Sequence, residues 1–302
     1  MTTGVCEMVR AVVPGLPVTQ RLVHKSDPAE VLLTRWCRTA PDCFQVVAHW
    51  PGAHPFYTAA SGSYEPLLVS ETIRQLFPLL CHAAYDVPFG HHLVWERYDY
   101  SLEPGALRPG PAALELRVAC RDLVRRRDRL AALTMRVELV REGVVQARAR
   151  SRFTVQAPAV YDRLRGERAD AAGAMAAALP APRPVRPDTA GRDHAEDVVL
   201  APADRPDRWR LRVDTRHRKL FDHAVDHVPG MLLLEAARQA AQAVRRPERV
   251  LPVAMETAFH RYVELDRPCW IEAASPAPDT VRVTARQDGE LRFEADVRTR
   301  VR

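Results

Sequence analysis

Glu71-Thr-Ile-Arg74-Gln75 and Glu235-Ala-Ala-Arg238-Gln239 repeat one pattern, a carboxylate and a guanidinium three residues apart followed by an amide. On a helix, residues i and i+3 share a face, so each Glu meets its Arg. One chemistry open to such a pair is general-base catalysis. An apolar pocket raises the pKa of the Glu carboxyl, which then takes the proton of an attacking hydroxyl, while the planar fork of Arg binds phosphate or a developing oxyanion. The two roles compete, because a tight ion pair lowers the basicity of the carboxylate. The plain alternative is a surface ion pair worth less than ~1 kcal/mol. The apolar neighbours and the recurrence of the pattern argue against an exposed face.

Gly230 opens the second apolar stretch and lets a substrate carbonyl approach N–H groups at the positive end of a helix. The first copy has Pro66 there, which favours the second helix as the main catalytic one. The catalytic candidates are thus Glu235, Arg238, Glu71 and Arg74, with Gly230, His227 and His223 as substrate-binding candidates at the helix entrance. His24 and His54 read as structural. His82 and His91-His92 lack the carboxylates and spacing of a metal site, so no metal is expected. There is no Gly-rich phosphate loop, Gly-x-Ser-x-Gly elbow or Rossmann fingerprint, and no bound cofactor is expected. Cys43 and Cys81 have no nucleophile context, which favours direct transfer to a hydroxyl over an acyl-enzyme.

The elements that position these residues also recur. Sliding the chain by 164 places aligns Phe56-Tyr57 with Leu220-Phe221 and runs ungapped to Gln75 and Gln239. Each half reads as a strand, a buried helix and an antiparallel meander: Phe44–Ala48, a helix from about Pro66 and strands Leu114–Val124, Leu130–Val140 and Val144–Val155; then Trp209–Val213, a helix from Pro229-Gly230 to Val244 and strands Arg261–Ser275, Thr280–Gln287 and Glu290–Val301. Asp288-Gly289 is a tight hairpin turn. Pro78 is expected to kink or end the first helix. The fold class is α+β, a tandem hotdog in which a sheet wraps a central helix twice. The divisions are 1–157 for the first repeat, 158–192 for an Ala/Pro/Arg-rich linker and 193–302 for the second repeat.

At 302 residues the chain is long enough for two domains. With 47% hydrophobic and 27% charged residues it has a globular composition. No apolar run reaches the ~20 residues of a membrane span, Met1 to Gln20 carries no secretory signal, and the six Cys form no CxxC. A cytoplasmic protein without membrane association is expected. The net charge is +6, and 42 of the 44 basic residues are Arg. That excess reads either as the mark of a GC-rich genome or as a basic face for an acidic partner. No nucleic-acid-binding motif is present.

The stretch Asp226-His227-Val-Pro-Gly-Met-Leu-Leu-Leu-Glu-Ala-Ala-Arg-Gln239 resembles the second repeat of the A-factor synthase (AfsA) family. Tyr64-Glu-Pro-Leu-Leu-Val-Ser-Glu-Thr-Ile-Arg-Gln75, with His54-Pro-Phe-Tyr57 and Val23-His-Lys25 upstream, resembles the first. The resemblance implies transfer of a β-ketoacyl group from an acyl carrier protein to the hydroxyl of dihydroxyacetone phosphate, a step towards γ-butyrolactone-type signals of actinobacteria. Pro229-Gly-x-Leu-x-x-Glu-Ala236 is more distantly similar to hotdog dehydratases. Their catalytic His lies eight residues before the Pro, where this chain has Phe221, which weakens a dehydratase reading. Thioester hydrolysis, dehydration and non-catalytic lactone reception are the rival functions. A receptor usually carries a DNA-binding domain, and no such segment is recognisable here.

Overall fold

The computed structural model describes residues 15–110 and 113–302, so the first part of the Met1–Gln20 segment lies outside the described residues. Strands β1 (Leu16–Pro17), β2 (Leu33–Ala40), β3 (Cys43–Ala48), β4 (His92–Leu102), β5 (Leu114–Arg126), β6 (Arg129–Arg141) and β7 (Val144–Gln156) come from the first repeat. Strands β8 (Leu200–Pro202), β9 (Arg208–Leu211), β10 (Val250–Phe259), β11 (Cys269–Ala277), β12 (Thr280–Gln287) and β13 (Glu290–Val301) come from the second. They form one antiparallel sheet in the order β1-β2-β3-β5-β6-β7-β4-β10-β13-β12-β11-β9-β8. The two halves meet where β4 pairs with β10, from Arg97 opposite Ala258 to Ser101 opposite Ala254. There the Thr257 hydroxyl also donates to the Tyr98 carbonyl at 2.6 Å.

Helix α1 (Pro66–Ala84) lies in the first half and α5 (Gly230–Val244) in the second, with the short helices α2 (Pro158–Arg165), α3 (Ala171–Ala176) and α4 (Pro187–Ala190) between them. Both long helices are buried on nearly every side, which explains why their sequences show no polar stripe. Pro starts α1, where its missing N–H costs nothing. Pro78 does not end α1, which continues to Ala84; burial of Pro78 and of the turn after it offsets the lost hydrogen bond.

Buried amides tie each helix to the strand before it in the same way. Gln75 accepts from the Leu32 N–H at 2.9 Å and donates to the Glu30 carbonyl at 2.8 Å. Gln239 accepts from the Val199 N–H at 2.9 Å and donates to the Asp197 carbonyl at 2.8 Å. These are main-chain groups that no sheet ladder serves, so the amide is their partner.

Three expectations change. Strands β4 and β10, which join the halves, do not stand out in the sequence as separate signals. The segment expected to begin a strand at Arg261 enters the sheet only at Cys269: Val263 and Leu265 are buried, yet their carbonyls accept from Val228 and Leu179 in neighbouring loops. Residues 158–192, expected as a semi-rigid linker, pack against the second half, with Tyr161 and Arg165 bonded to Asp226.

Replacing Gln239 with Leu would leave the Val199 N–H and the Asp197 carbonyl without partners, at roughly 1–3 kcal/mol each. A lower urea midpoint with an unchanged slope is expected, and an unchanged midpoint would show that this tie contributes nothing to stability.

Candidate active site

Both Glu-x-x-Arg pairs form as the spacing requires. Arg74 donates to Glu71 through Nε and Nη2, both at 2.8 Å. Arg238 donates to Glu235 at 2.9 Å through Nε and 2.7 Å through Nη2. A second cation closes each pair: Lys25 Nζ lies 3.0 Å from Glu71, and Arg192 Nε donates to Glu235 at 2.7 Å. The following Gln adds a further donor to each carboxylate.

Burial pushes both carboxyl groups up, but the cations and donors around them win and hold both pKa values below the ordinary glutamate range, that of Glu235 near about 2. The expectation of a carboxyl tuned upward to act as a base is therefore reversed. Each Glu is a fixed anion that fastens two cations.

The two pairs differ in exposure. Arg238 is 4% exposed, and its fork is capped by the Ala190 and Gly191 carbonyls at the end of α4, at 3.2 and 3.4 Å. Gly191 sits in the left-handed region at φ 62°, and a Cβ there would fall 2.9 Å from Gln242. Arg74 is 22% exposed, and its Nη1 has no hydrogen-bond partner among the described residues.

Arg74 lines a cleft of about 490 Å³, within the usual size of a small-molecule site. Glu71, Lys25, Lys219, His24, His223, His227 and Gly230 line it too, whereas Glu235 and Arg238 do not. The site thus combines the entrance of α5 with the Glu-x-x-Arg turn of α1. The second pair, which the sequence favours as the main one, lies outside this cleft, where α4 and the turn after it cap Arg238.

Gly230 has a packing reason of its own. A Cβ there would meet the Trp95 ring at 2.6 Å, so the missing side chain lets Trp95 sit against the first turn of α5. Trp95 stacks on Phe259 and Tyr98 and, with Phe77, Met231 and Leu233, gives the cleft an apolar wall. No side chain caps α5, and the Gly230 and Met231 N–H groups have no hydrogen-bond partner among the described residues, which suits them to meet an anion or a carbonyl oxygen.

His227 points Nδ1 at the Asp226 carboxylate, 2.7 Å away. Asp226 is held in turn by the Tyr161 hydroxyl at 2.7 Å and by Arg165 Nε at 2.9 Å. His223 is 57% exposed at the rim, its Nδ1 3.6 Å from Asp222. His54 is structural: Nδ1 accepts from the Phe56 and Tyr57 N–H groups and Nε2 bonds Glu30.

Lys219, Asp226, Tyr161, Arg165 and Arg192 were not singled out from sequence, nor was Lys25 as a site residue. One signal was available for the lysines. The chain has only two, Lys25 and Lys219, and both line this cleft.

Glu235→Gln would remove the counter-charge of two buried arginines, and destabilisation of about 3–5 kcal/mol is expected. The folded carboxyl is more acidic than the unfolded one, so its contribution is present above the ordinary glutamate pKa of ~4.3 and fades as pH falls towards about 2. The variant should therefore lose stability at neutral pH and show a flatter acid limb in thermal melts. A neutral-pH melting temperature equal to the parent's would contradict this account.

Three similarities bear on the chain as a whole. The model of the A-factor biosynthesis hotdog domain (AfsA) matches residues 13–157 and 173–301. A 2-oxo-3-(phosphooxy)propyl 3-oxoalkanoate synthase of Streptomyces virginiae is 47% identical over 290 residues, covering 94% of this chain and 97% of the relative. The protein of the same name from Streptomyces coelicolor is 42% identical, covering 92% and 90%. Among solved structures, an acyl-ACP thioesterase from Bacteroides thetaiotaomicron superposes with a TM-score of 0.54 at 12% identity, covering 86% of this chain and 98% of that one, which shows the shared double-hotdog fold. The chain belongs to the A-factor biosynthesis hotdog family.

Proposed function

We propose that this protein is an acyltransferase that moves a β-ketoacyl group from an acyl carrier protein thioester to the hydroxyl of dihydroxyacetone phosphate. The name borne by its relatives describes such a product, an ester whose alcohol part is dihydroxyacetone phosphate and whose acid part is a 3-oxoalkanoate. The observation that carries the reading is the convergence of Lys25, Lys219 and the open edge of Arg74 on one cleft. Lysines supply point charges and Arg a planar fork, a set suited to a phosphate dianion. Glu71 and Glu30 hold these cations in place without using all their N–H groups.

The thioester carbonyl sits at the N-terminus of α5, where unpaired N–H groups stabilise the oxyanion that forms as the hydroxyl attacks. The alkyl part of the acyl group lies against Phe77, Trp95, Met231, Leu233 and Phe259. Holding the two substrates side by side supplies much of the rate, because it converts an encounter in solution into a reaction within one complex. The Arg-rich surface attracts the acidic carrier protein. Lactone-type signal biosynthesis in the cytoplasm follows from the same reading, which the free cysteines of the described residues support.

Mass spectrometry of a reaction of the purified protein with a β-ketoacyl carrier protein and dihydroxyacetone phosphate should show the phosphorylated ester. Free β-keto acid as the sole product would replace transfer by hydrolysis. Arg74→Ala and Lys25→Ala should each raise the KM for dihydroxyacetone phosphate by at least ~10-fold, the loss of one charged hydrogen bond. An unchanged KM in both would move the phosphate elsewhere.

Raising ionic strength should weaken the apparent affinity for the carrier-protein donor but not for a short free thioester. Equal salt sensitivity would leave the Arg excess without a role in docking.

A further inference from the structure

Acyl transfer to a hydroxyl needs a base; Glu71, His24 and His227 line the cleft, as do His91, His92, His223 and His260. Glu71 is held as an anion by Lys25, Arg74 and Gln75, and a proton arriving there would break those contacts. The Nε2 atoms of His24 and His82 are 2.8 Å apart, and His82 Nδ1 donates to the Val87 carbonyl at 2.6 Å. His82 Nε2 must therefore accept, and His24 donates to it. Burial, together with His82, Arg74 and His223, lowers the pKa of His24 to about 4, so it stays neutral but is a weak base. His227 differs from both. Its Nδ1–H is committed to the Asp226 carboxylate, its Nε2 has no hydrogen-bond partner among the described residues, and the 30%-exposed ring lines the cleft beside Gly230.

We propose that His227 is the catalytic base of the transfer and that Asp226, fixed by Tyr161 and Arg165, is its positioning residue. This rests on the function proposed above. His227 Nε2 takes the proton of the acceptor hydroxyl as the oxygen forms its bond to the thioester carbonyl carbon. When the tetrahedral intermediate collapses, the C–S bond breaks and the imidazolium returns the proton to the departing sulfur. Atoms and charge balance with no further reactant.

The Asp226 carboxylate selects the tautomer that leaves Nε2 free and stabilises the imidazolium between the two steps. Its own carboxyl is pushed up by burial but held well below the usual range by His227, Tyr161 and Arg165, so it remains charged. The pseudo-symmetry supports the assignment. At the register that superposes the two helices, Asp226 and His227 correspond to Gly62 and Ser63, so only the entrance of α5 carries the pair, and that entrance faces the open Arg74.

The groups facing His227 are Asp226, the Tyr161 hydroxyl at 3.4 Å and the Tyr262 ring at 4.6 Å, with Arg165 bonded behind Asp226 and His92 stacked on Tyr161. The test is steady-state kinetics with mass-spectrometric product detection on the full chain carrying His227→Asn, His227→Gln or Asp226→Asn. In His227→Asn the side-chain amide can replace the Nδ1–H donor to Asp226, which preserves the fold. Thermal melts compare each variant with the parent.

Both His227 variants should lower kcat by about 10²–10⁴-fold with the KM for dihydroxyacetone phosphate changed by less than threefold. Asp226→Asn should lower kcat with the KM for dihydroxyacetone phosphate likewise changed by less than threefold, because the ring loses the carboxylate that orients it. Parent-like kcat in a folded His227→Asn protein, or loss through KM alone, would overturn the base assignment while the parent's ester product leaves the proposed function standing. Absence of the ester with the parent protein would overturn both.

Discussion

A carboxylate in the middle of a buried helix cannot stand alone. Taking an ion out of water costs several kcal/mol unless charged partners and hydrogen bonds replace its hydration. Glu71 and Glu235 impose that constraint twice, and much of the interior is arranged to meet it. Each requires an Arg one turn on, a Gln on the next position and a cation from the segment before the repeat, Lys25 or Arg192. Because that cation lies far from the helix in sequence, the requirement also fixes the path of the chain upstream of each helix, and the Gln side chain anchors the main chain that leads into β2 or β8.

Function enters where the two solutions differ. In the second half, the Ala190 and Gly191 carbonyls complete the coordination of Arg238, and Arg192 spends an N–H on the Phe56 carbonyl at 2.7 Å. Four hydrogen bonds within the chain thus occupy the buried Arg238 guanidinium. In the first half, Lys replaces Arg, no carbonyl caps Arg74 among the described residues, and the same arrangement has charge and N–H groups to spare. On the proposed function, this incomplete copy of a structural device is the binding site for the phosphate.

The tandem arrangement, the central helices and the equivalence of Glu71 with Glu235 were legible in the sequence because they rest on local periodicity and on an ungapped register. The direction of the carboxylate pKa was not. It depends on Lys25 and Arg192, which no helical spacing brings near. Similarly, β4 and β10 are joined by pairing between the halves, and sequence read one half at a time has no signal for it. The capping of Arg238 was not legible either: a Pro-rich stretch reads as a spacer, and only its folded path puts two carbonyls over Arg238. His227 was legible as a residue at the helix entrance. Its orientation was not, since Tyr161 and Arg165 fix Asp226 from a distant part of the chain.

A two-fold repeat with two helix entrances and two Glu-x-x-Arg turns has two possible sites, each made of one entrance and the opposite turn. The entrance of α5 meets Arg74, and the entrance of α1 meets Arg238, as the 3.9 Å approach of Glu65 to that guanidinium shows. The first combination has an open cation, uncapped helix N–H groups and a histidine. The second has a capped cation, Pro66 and Ser63. Closing the second site costs the protein nothing in the chemistry proposed here, because one ester bond needs one phosphate and one carbonyl held together. The closure also commits two Arg238 N–H groups to carbonyls within the chain, which stabilises the fold around the second Glu-x-x-Arg turn.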